Sequence, residues 1–362
     1  MMHISELDTP AIVIDLDIME RNLRRMAEYT KLHGLRLRPH TKTHKIPALG
    51  ARQLGLGAVG LTVAKVSEAE VMLESGVEDL LIAYPVIGAT KLARVVEVAK
   101  KTRLTISVDS LEAAQGIAAA ASKAGVKVHL LVEMDVGLGR VGVKPGSDAL
   151  ALAAAIDKLD GVDLEGLAFY PGHLKDWSAD GKAKMAAMSE TVSSTVDQLK
   201  AAGLAVRVVS GGSTPTEWHA HEVHGMNEVR PGTYIFNDRN TILCGACTLE
   251  DCAATILATV VSTSVNGQFI IDGGSKTFSS DKSAEPGHGI VIQAKDAYFA
   301  RMNEEHGYVE LPDARSRIKV GDRVNVLPNH ICVAMNLHEQ VYGVRGETVE
   351  RMWPVAARGK LQ

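Results

Sequence analysis

Val128-His129-Leu130-Leu131-Val132, running into Glu133-Met134-Asp135-Val136-Gly137-Leu138-Gly139-Arg140, is the stretch whose reading decides the fold. Four of its first five residues are apolar, without the alternation of a half-exposed strand, so it reads as a strand covered on both faces. A polar, glycine-punctuated tail follows, as where a buried parallel strand opens into a functional loop. The same cadence recurs on both sides, at 35–38, 60–63, 79–83 and 104–108 before it and at 164–169, 206–209 and 227–230 after it. Eight such runs, separated by helical stretches, predict an α/β chain built as a (β/α)8 TIM-type barrel. The intervening helices carry their own punctuation. Ser67-Glu68-Ala69-Glu70 reads as a capping box and Gly76 as a terminator.

Beyond residue 240 the pattern changes to strand-like stretches such as 254–261 and 268–272, parted by Gly, Asn and Asp turns. The expected division is a barrel over 12–238 and a second, mainly β C-terminal domain over 239–362, with residues 1–11 packing with the latter. The chain has 362 residues, 46% hydrophobic, 4% aromatic and 23% charged, with a net charge of −4. That balance offers no basic stripe for nucleic acid and no polybasic membrane anchor, and no apolar run reaches bilayer length. The expectation is a cytoplasmic enzyme acting on a small molecule. Four cysteines, Cys244, Cys247, Cys252 and Cys332, read as thiols or ligands rather than a disulfide framework.

In a barrel the chemistry lies where the strands end. The first run ends in Arg38-Pro39-His40-Thr41-Lys42-Thr43-His44-Lys45, the sixth in Tyr170-Pro171-Gly172-His173, and the seventh in Ser210-Gly211-Gly212-Ser213-Thr214. The last offers glycines for close backbone approach, hydroxyl donors and a following helix N-terminus, as phosphate binding requires; a tight strand-to-helix connection would read the same way. Cations around Lys42 disfavour its ammonium form and so favour the amine that makes Schiff bases, although a solvated basic loop has the same composition. Pro328-Asn329-His330-Ile331-Cys332 puts imidazole and thiol two residues apart, on one face of a strand, where both reach one Zn2+; a hydrogen-bonded His beside a buried Cys is the plainer alternative. Cys244, Cys247 and Cys252 supply too few ligands for structural zinc, and His219, His221 and His224 read as surface residues in a loop.

Taken as a set, Asp8-Thr9-Pro10-Ala11, the Lys42 motif, Gly139-Arg140-Val141-Gly142, Ser210-Gly211-Gly212-Ser213-Thr214, Glu228-Val229-Arg230-Pro231-Gly232-Thr233-Tyr234, Asp272-Gly273-Gly274-Ser275-Lys276 and His330-x-Cys332 resemble the D-threonine aldolase/D-serine dehydratase family. The resemblance covers nearly the whole chain. It implies an alanine-racemase-like barrel plus β domain, pyridoxal 5′-phosphate (PLP) on Lys42, and a divalent metal, Zn or Mn/Mg, on His330 and Cys332. It also implies Arg140 at the pyridoxal hydroxyl, Tyr170 at the pyridine nitrogen, and phosphate against Ser210, Gly211, Gly212, Ser213 and Thr214 with Tyr234 nearby. The implied activity is a lyase for D-3-hydroxy amino acids, retro-aldol cleavage to glycine and an aldehyde first. The runner-up is dehydration of D-serine or D-3-hydroxyaspartate to a keto acid and ammonia, with racemase and non-catalytic PLP-binding protein as further alternatives. His-x-Cys favours the dehydratase, and the tail from Asn336 to Arg345 favours the aldolase. Aldolases of the family carry a histidine where this chain has Asp176, so His173 is the substitute base. The resemblance implies a homodimer.

Overall fold

The computed structural model describes residues 2–362, in two compact units. One holds Arg25–Lys42, Pro47–Gly232 and Lys360–Gln362; the other holds the chain up to Arg24, Thr43–Ile46 and Thr233–Gly359.

The first unit is the barrel. Its strands are β1 (Arg36–Leu37), β2 (Leu61–Val63), β3 (Asp79–Ile82), β4 (Arg103–Val108), β5 (Val128–Met134), β6 (Val162–Phe169), β7 (Val208–Gly211) and β8 (Glu228–Val229). They pair in parallel in the order β1-β8-β7-β6-β5-β4-β3-β2, and a parallel bridge from His40 to Thr62 joins β1 to β2. The apolar runs become strands because both faces are covered. Leu81, Leu131, Ala168 and Val208 form one buried cluster, and helices such as Ala89–Ala99 and Leu111–Ala124 present the apolar faces that cover the sheet.

Around the starts of β3, β4 and β8, charged side chains close on one another and on Arg38, just past β1. Arg38 lies 3.0 Å from Glu228 and 2.8 Å from Asp79, Arg103 reaches Asp79 at 3.1 Å and Glu165 at 2.8 Å, and Glu165 also takes His129 and Arg207. Burial pushes the Glu165 carboxyl up. Hydrogen bonds from His129 and Arg207, with the Arg103 and Arg207 charges, outweigh that and hold it at about 2.

The second unit carries a ten-stranded mixed sheet. Ala11–Asp15 lies inside it, antiparallel to Ala254–Ser262 and parallel to Gln340–Arg345. The division therefore falls later at the N-terminus than the one drawn at residue 12, because this apolar run finds its partners among the C-terminal strands. It also returns Thr43–Ile46, directly after Lys42, to the β unit. Gly76 ends its helix in the left-handed conformation at φ 77, as expected. The capping box does not form: the helix Val66–Met72 begins before Ser67, whose hydroxyl donates to the Gln362 carbonyl, while Glu68 accepts the N–H of Ala64. Among the described residues no helix is long and apolar enough to cross a membrane.

Candidate active site

Lys42 sits in a single 3-10 turn, Thr41–Thr43, just past β1. The Thr41 hydroxyl donates to the Thr62 carbonyl at 3.1 Å and pins the turn to β2. Lys42 Nζ lies 5.7 Å from the centre of the Tyr170 ring, and the Arg140 guanidinium carbon lies 5.0 Å from the same ring. Residues following β1, β5 and β6 thus meet around one aromatic ring, a favourable cation–π arrangement. Gly172 makes room for it: a Cβ there would lie 2.3 Å from Tyr170 Cε1. His173 is exposed beside Gly137, where an added Cβ would come within 3.1 Å of its Nε2. The loop before it is held by Asp135, which accepts the N–H groups of Gly137 and Gly139, both at 3.0 Å. Those hydrogen bonds, Gly139's foremost, keep the Asp135 carboxyl below the usual range.

The crowd of cations expected around Lys42 is thinner than its sequence suggests. Arg38 is buried and neutralised by Glu228 and Asp79. His44 accepts the Ile46 N–H through Nδ1, and Lys45 Nζ donates to the Ala357 carbonyl, both within the β unit. Arg140 is the cation that shares the Tyr170 ring with Lys42.

The candidate phosphate turn follows β7. A Cβ on Gly211 would lie 2.2 Å from Phe169 Cζ, and Gly212 has φ +78 with Val229 2.8 Å from a Cβ, so both must be glycine. Ser213 and Thr216 form a capping box at the start of a nine-residue 3-10 helix, Thr214–Glu222, rather than an α-helix. Thr214 Oγ1 accepts the N–H of Gly232 at 3.2 Å. Ser210 Oγ is buried with no hydrogen-bond partner, a donor suited to an anionic ligand. Tyr234 is buried in the β unit, on the 3-10 turn Thr233–Ile235.

Beside this turn lie two buried charged groups that sequence reasoning passed over. Burial pushes the Glu133 carboxyl up, against the Arg230 charge, the Ser107 hydroxyl and the Arg140 charge. Its Oε2 and the Arg230 Nε lack partners, although Arg230 also donates to the Phe169 carbonyl at 2.8 Å. The sequence signal was available, an acidic residue at the end of an otherwise apolar strand.

His330 and Cys332 belong to the β unit. They are not on a strand: Arg323–Pro328 ends first, His330 caps the helix Ile331–Leu337 and Cys332 lies in its first turn. The turn forms because the fully buried Asp238 carboxylate accepts both the His330 Nδ1–H at 2.8 Å and the Ile331 N–H at 3.1 Å. Cys332 Sγ meets Thr43 Oγ1 at 3.2 Å and Thr233 Oγ1 at 3.6 Å. The thiolate first, then the Asp238 hydrogen bond, raises His330 well above the ordinary imidazole range against burial, while burial lifts Cys332 and His330 more than reverses it. Among the described residues no three His, Cys, Asp or Glu side chains gather to hold a metal. Two convergent donors with supported hydrogen bonds fit a divalent metal that keeps positions open for water or substrate.

The other clusters are occupied with structure. His219 stacks on Trp177 and pairs with Glu222, and His221 bonds Tyr29 and stacks on His33, all on or against the 3-10 helix rather than in a loop. Asp176 holds the hydroxyl and N–H of Ser178, the N-cap of the helix Ala179–Ala201. Cys244 and Cys247 donate to Thr241.

Residues 14–240 match the alanine racemase N-terminal domain, and residues 253–344 match a serine dehydratase domain. The 3-hydroxy-D-aspartate aldolase of Paracoccus denitrificans (strain Pd 1222) is 34% identical over 99% of this chain and 94% of its own length. The chain belongs to the D-threonine aldolase and D-serine dehydratase family, built on the alanine racemase N-terminal domain. Among solved members of similar fold, the D-threonine aldolase from Filomicrobium marinum superposes with a TM-score of 0.94 at 33% identity, covering 99% of this chain and 98% of that one. A D-threo-3-hydroxyaspartate dehydratase in a metal-free form superposes at 0.88 and 32%, covering 98% and 99%. The family's cofactors are PLP and a divalent metal, and the residues present fit both: a lysine at a strand end, a glycine turn with an orphaned hydroxyl, and a supported His/Cys pair.

Proposed function

We propose that this protein is a PLP- and divalent-metal-dependent lyase that cleaves D-3-hydroxy amino acids to glycine and an aldehyde. The observation that carries it is the convergence of Lys42, Arg140 and Tyr170 at the strand ends, in a chain aligned end to end with 3-hydroxy-D-aspartate and D-threonine aldolases. PLP held by Lys42 supplies an electron sink for charge left at Cα. The chain's own groups do the rest. Arg140 and Tyr170 orient the ring, and the Ser210–Thr214 turn anchors the phosphate. His330 and Cys332 would hold the metal, which when bound would supply Lewis acidity that lowers the pKa of a β-hydroxyl. His173 Nε2 would take the hydroxyl proton as the Cα–Cβ bond breaks; the bonding pair would stay on Cα, which would take a proton from solvent to give glycine, and His173 would return its proton to solvent. We further propose a homodimer in the cytoplasm with a D-amino acid as its small-molecule substrate and neither nucleic acid nor membrane as partner.

Dehydration is the second reading, and the thiolate at Cys332 favours it, since a soft ligand suits Zn2+, which polarises a β-hydroxyl as a leaving group. The test is turnover of D-threonine by holoenzyme with and without a chelator. The proposal expects chelation to abolish turnover while the visible cofactor absorbance remains, and His173→Ala to lower kcat by about 10^2-fold or more. A colourless protein indifferent to added PLP, or turnover that survives chelation, overturns it.

A further inference from the structure

We infer that Asp238 is the positioning residue for the metal ligand His330, fixing which ring nitrogen faces the ion. The inference rests on reading His330 and Cys332 as metal ligands, and on contacts confined to the β unit. Asp238 is fully buried and its carboxylate is divided between two tasks. Oδ1 accepts the Thr241 N–H at 2.9 Å, and the Asp238 N–H donates to Thr241 Oγ1 at 2.7 Å, closing a capping box on the helix Arg239–Leu243. Oδ2 accepts the Ile331 N–H at 3.1 Å and His330 Nδ1 at 2.8 Å. An ionised carboxylate offers only acceptors, so Nδ1 must carry the proton and Nε2 is left to coordinate. The carboxylate cannot swing away, because the capping box anchors its other oxygen. One buried side chain therefore sets the orientation and tautomer of the imidazole and, through Ile331, the start of the helix that carries Cys332. Carboxylate support of this kind raises ligand basicity, and its loss costs about 10- to 100-fold in metal affinity.

The two tasks can be separated. Asp238→Ser keeps a capping oxygen for Thr241 but is too short to reach His330. Thr241→Val removes the hydroxyl from the capping box and leaves Oδ2 on His330. Wild type, both variants and His330→Ala, each loaded with PLP, are titrated with Zn2+ against a chelator and then with Co2+ as a spectroscopic probe. The expected result is a Zn2+ Kd about 10- to 100-fold weaker in Asp238→Ser, with Thr241→Val close to wild type. In the Co2+ protein the Asp238→Ser variant should keep the thiolate-to-metal charge-transfer band and shift its ligand-field bands toward those of His330→Ala, a change that loss of a cap alone does not produce. Unchanged affinity and spectrum in Asp238→Ser, or an equal loss in Thr241→Val, overturns the inference while the metal site stands. Wild type that binds neither ion overturns the metal reading and the inference with it.

Discussion

The two ends of the barrel handle polar side chains in opposite ways. Around the starts of β3, β4 and β8, Arg38, Asp79, Glu228, Arg103 and Glu165 are joined by ion pairs of 2.8–3.1 Å, although neither Glu228 oxygen makes a well-formed hydrogen bond. Where they stop, Ser210 Oγ, Glu133 Oε2 and Arg230 Nε are buried without partners, and Lys42 and Arg140 share one tyrosine ring. Burying a polar group without a partner costs about 1–3 kcal/mol, so its persistence needs a compensating cause. The difference teaches that charge at one end is matched, and so finished, within the fold, while the other end offers its polar atoms to a ligand.

That contrast can be broken by substitution, because a residue at the finished end should matter to stability and one at the open end to ligand. Lys42→Ala should show the largest effect: loss of the visible cofactor band and a fall in turnover of about 10^3-fold or more, with thermal melting of the cofactor-free protein little changed. Arg38→Met should do the reverse. It leaves the Glu228 carboxylate, which has no exposed surface, with the looser Arg36 contact at 3.7 Å, and should cost about 3–5 kcal/mol in urea unfolding while cofactor absorbance is retained in the folded fraction.

Acid provides a finer probe of the paired end. Glu165 is held at about 2, below its ordinary value of 4.5, so the unfolded chain binds its proton first as pH falls. Its contribution is therefore fully present above pH 4.5 and is lost as pH falls from there towards 2. Glu165→Gln should flatten the fall of unfolding free energy with pH across that window, and an unchanged slope would break the account of the paired end. The smallest effect is expected at Ser210→Ala, which removes a hydroxyl the folded chain leaves unpaired. Stability of the cofactor-free protein should shift by less than about 0.5 kcal/mol, while PLP dissociation measured by dialysis should weaken by about 5- to 10-fold, the worth of one hydrogen bond.

The barrel was legible because parallel strands buried on both faces leave runs that are mostly apolar, and all eight differ from the observed strands by at most two residues at either end, as 128–132 against Val128–Met134 shows. Ala11–Asp15 carries the same apolar signal yet pairs with Ala254–Ser262, a partner that no local pattern announces. Lys42, Arg140 and Tyr170 each follow a strand, which placed them among the candidates, and the family resemblance singled them out. His330 and Cys332 were recognised as a pair but placed on a strand, since the element that turns the chain there is Asp238, 92 residues away. Glu133 was read as the start of a loop when it is the penultimate residue of a buried strand, and the charge that opposes its burial comes from Arg230, just past β8 and far along the chain. Chemistry built from neighbours in sequence was visible; support reaching across the fold was not.

The most direct test of the central claim is the identity of the products when metal-loaded, PLP-bound protein is given D-threonine. Cleavage of Cα–Cβ predicts glycine and acetaldehyde in equal amounts. Ammonia with 2-oxobutanoate, and no glycine, would contradict it.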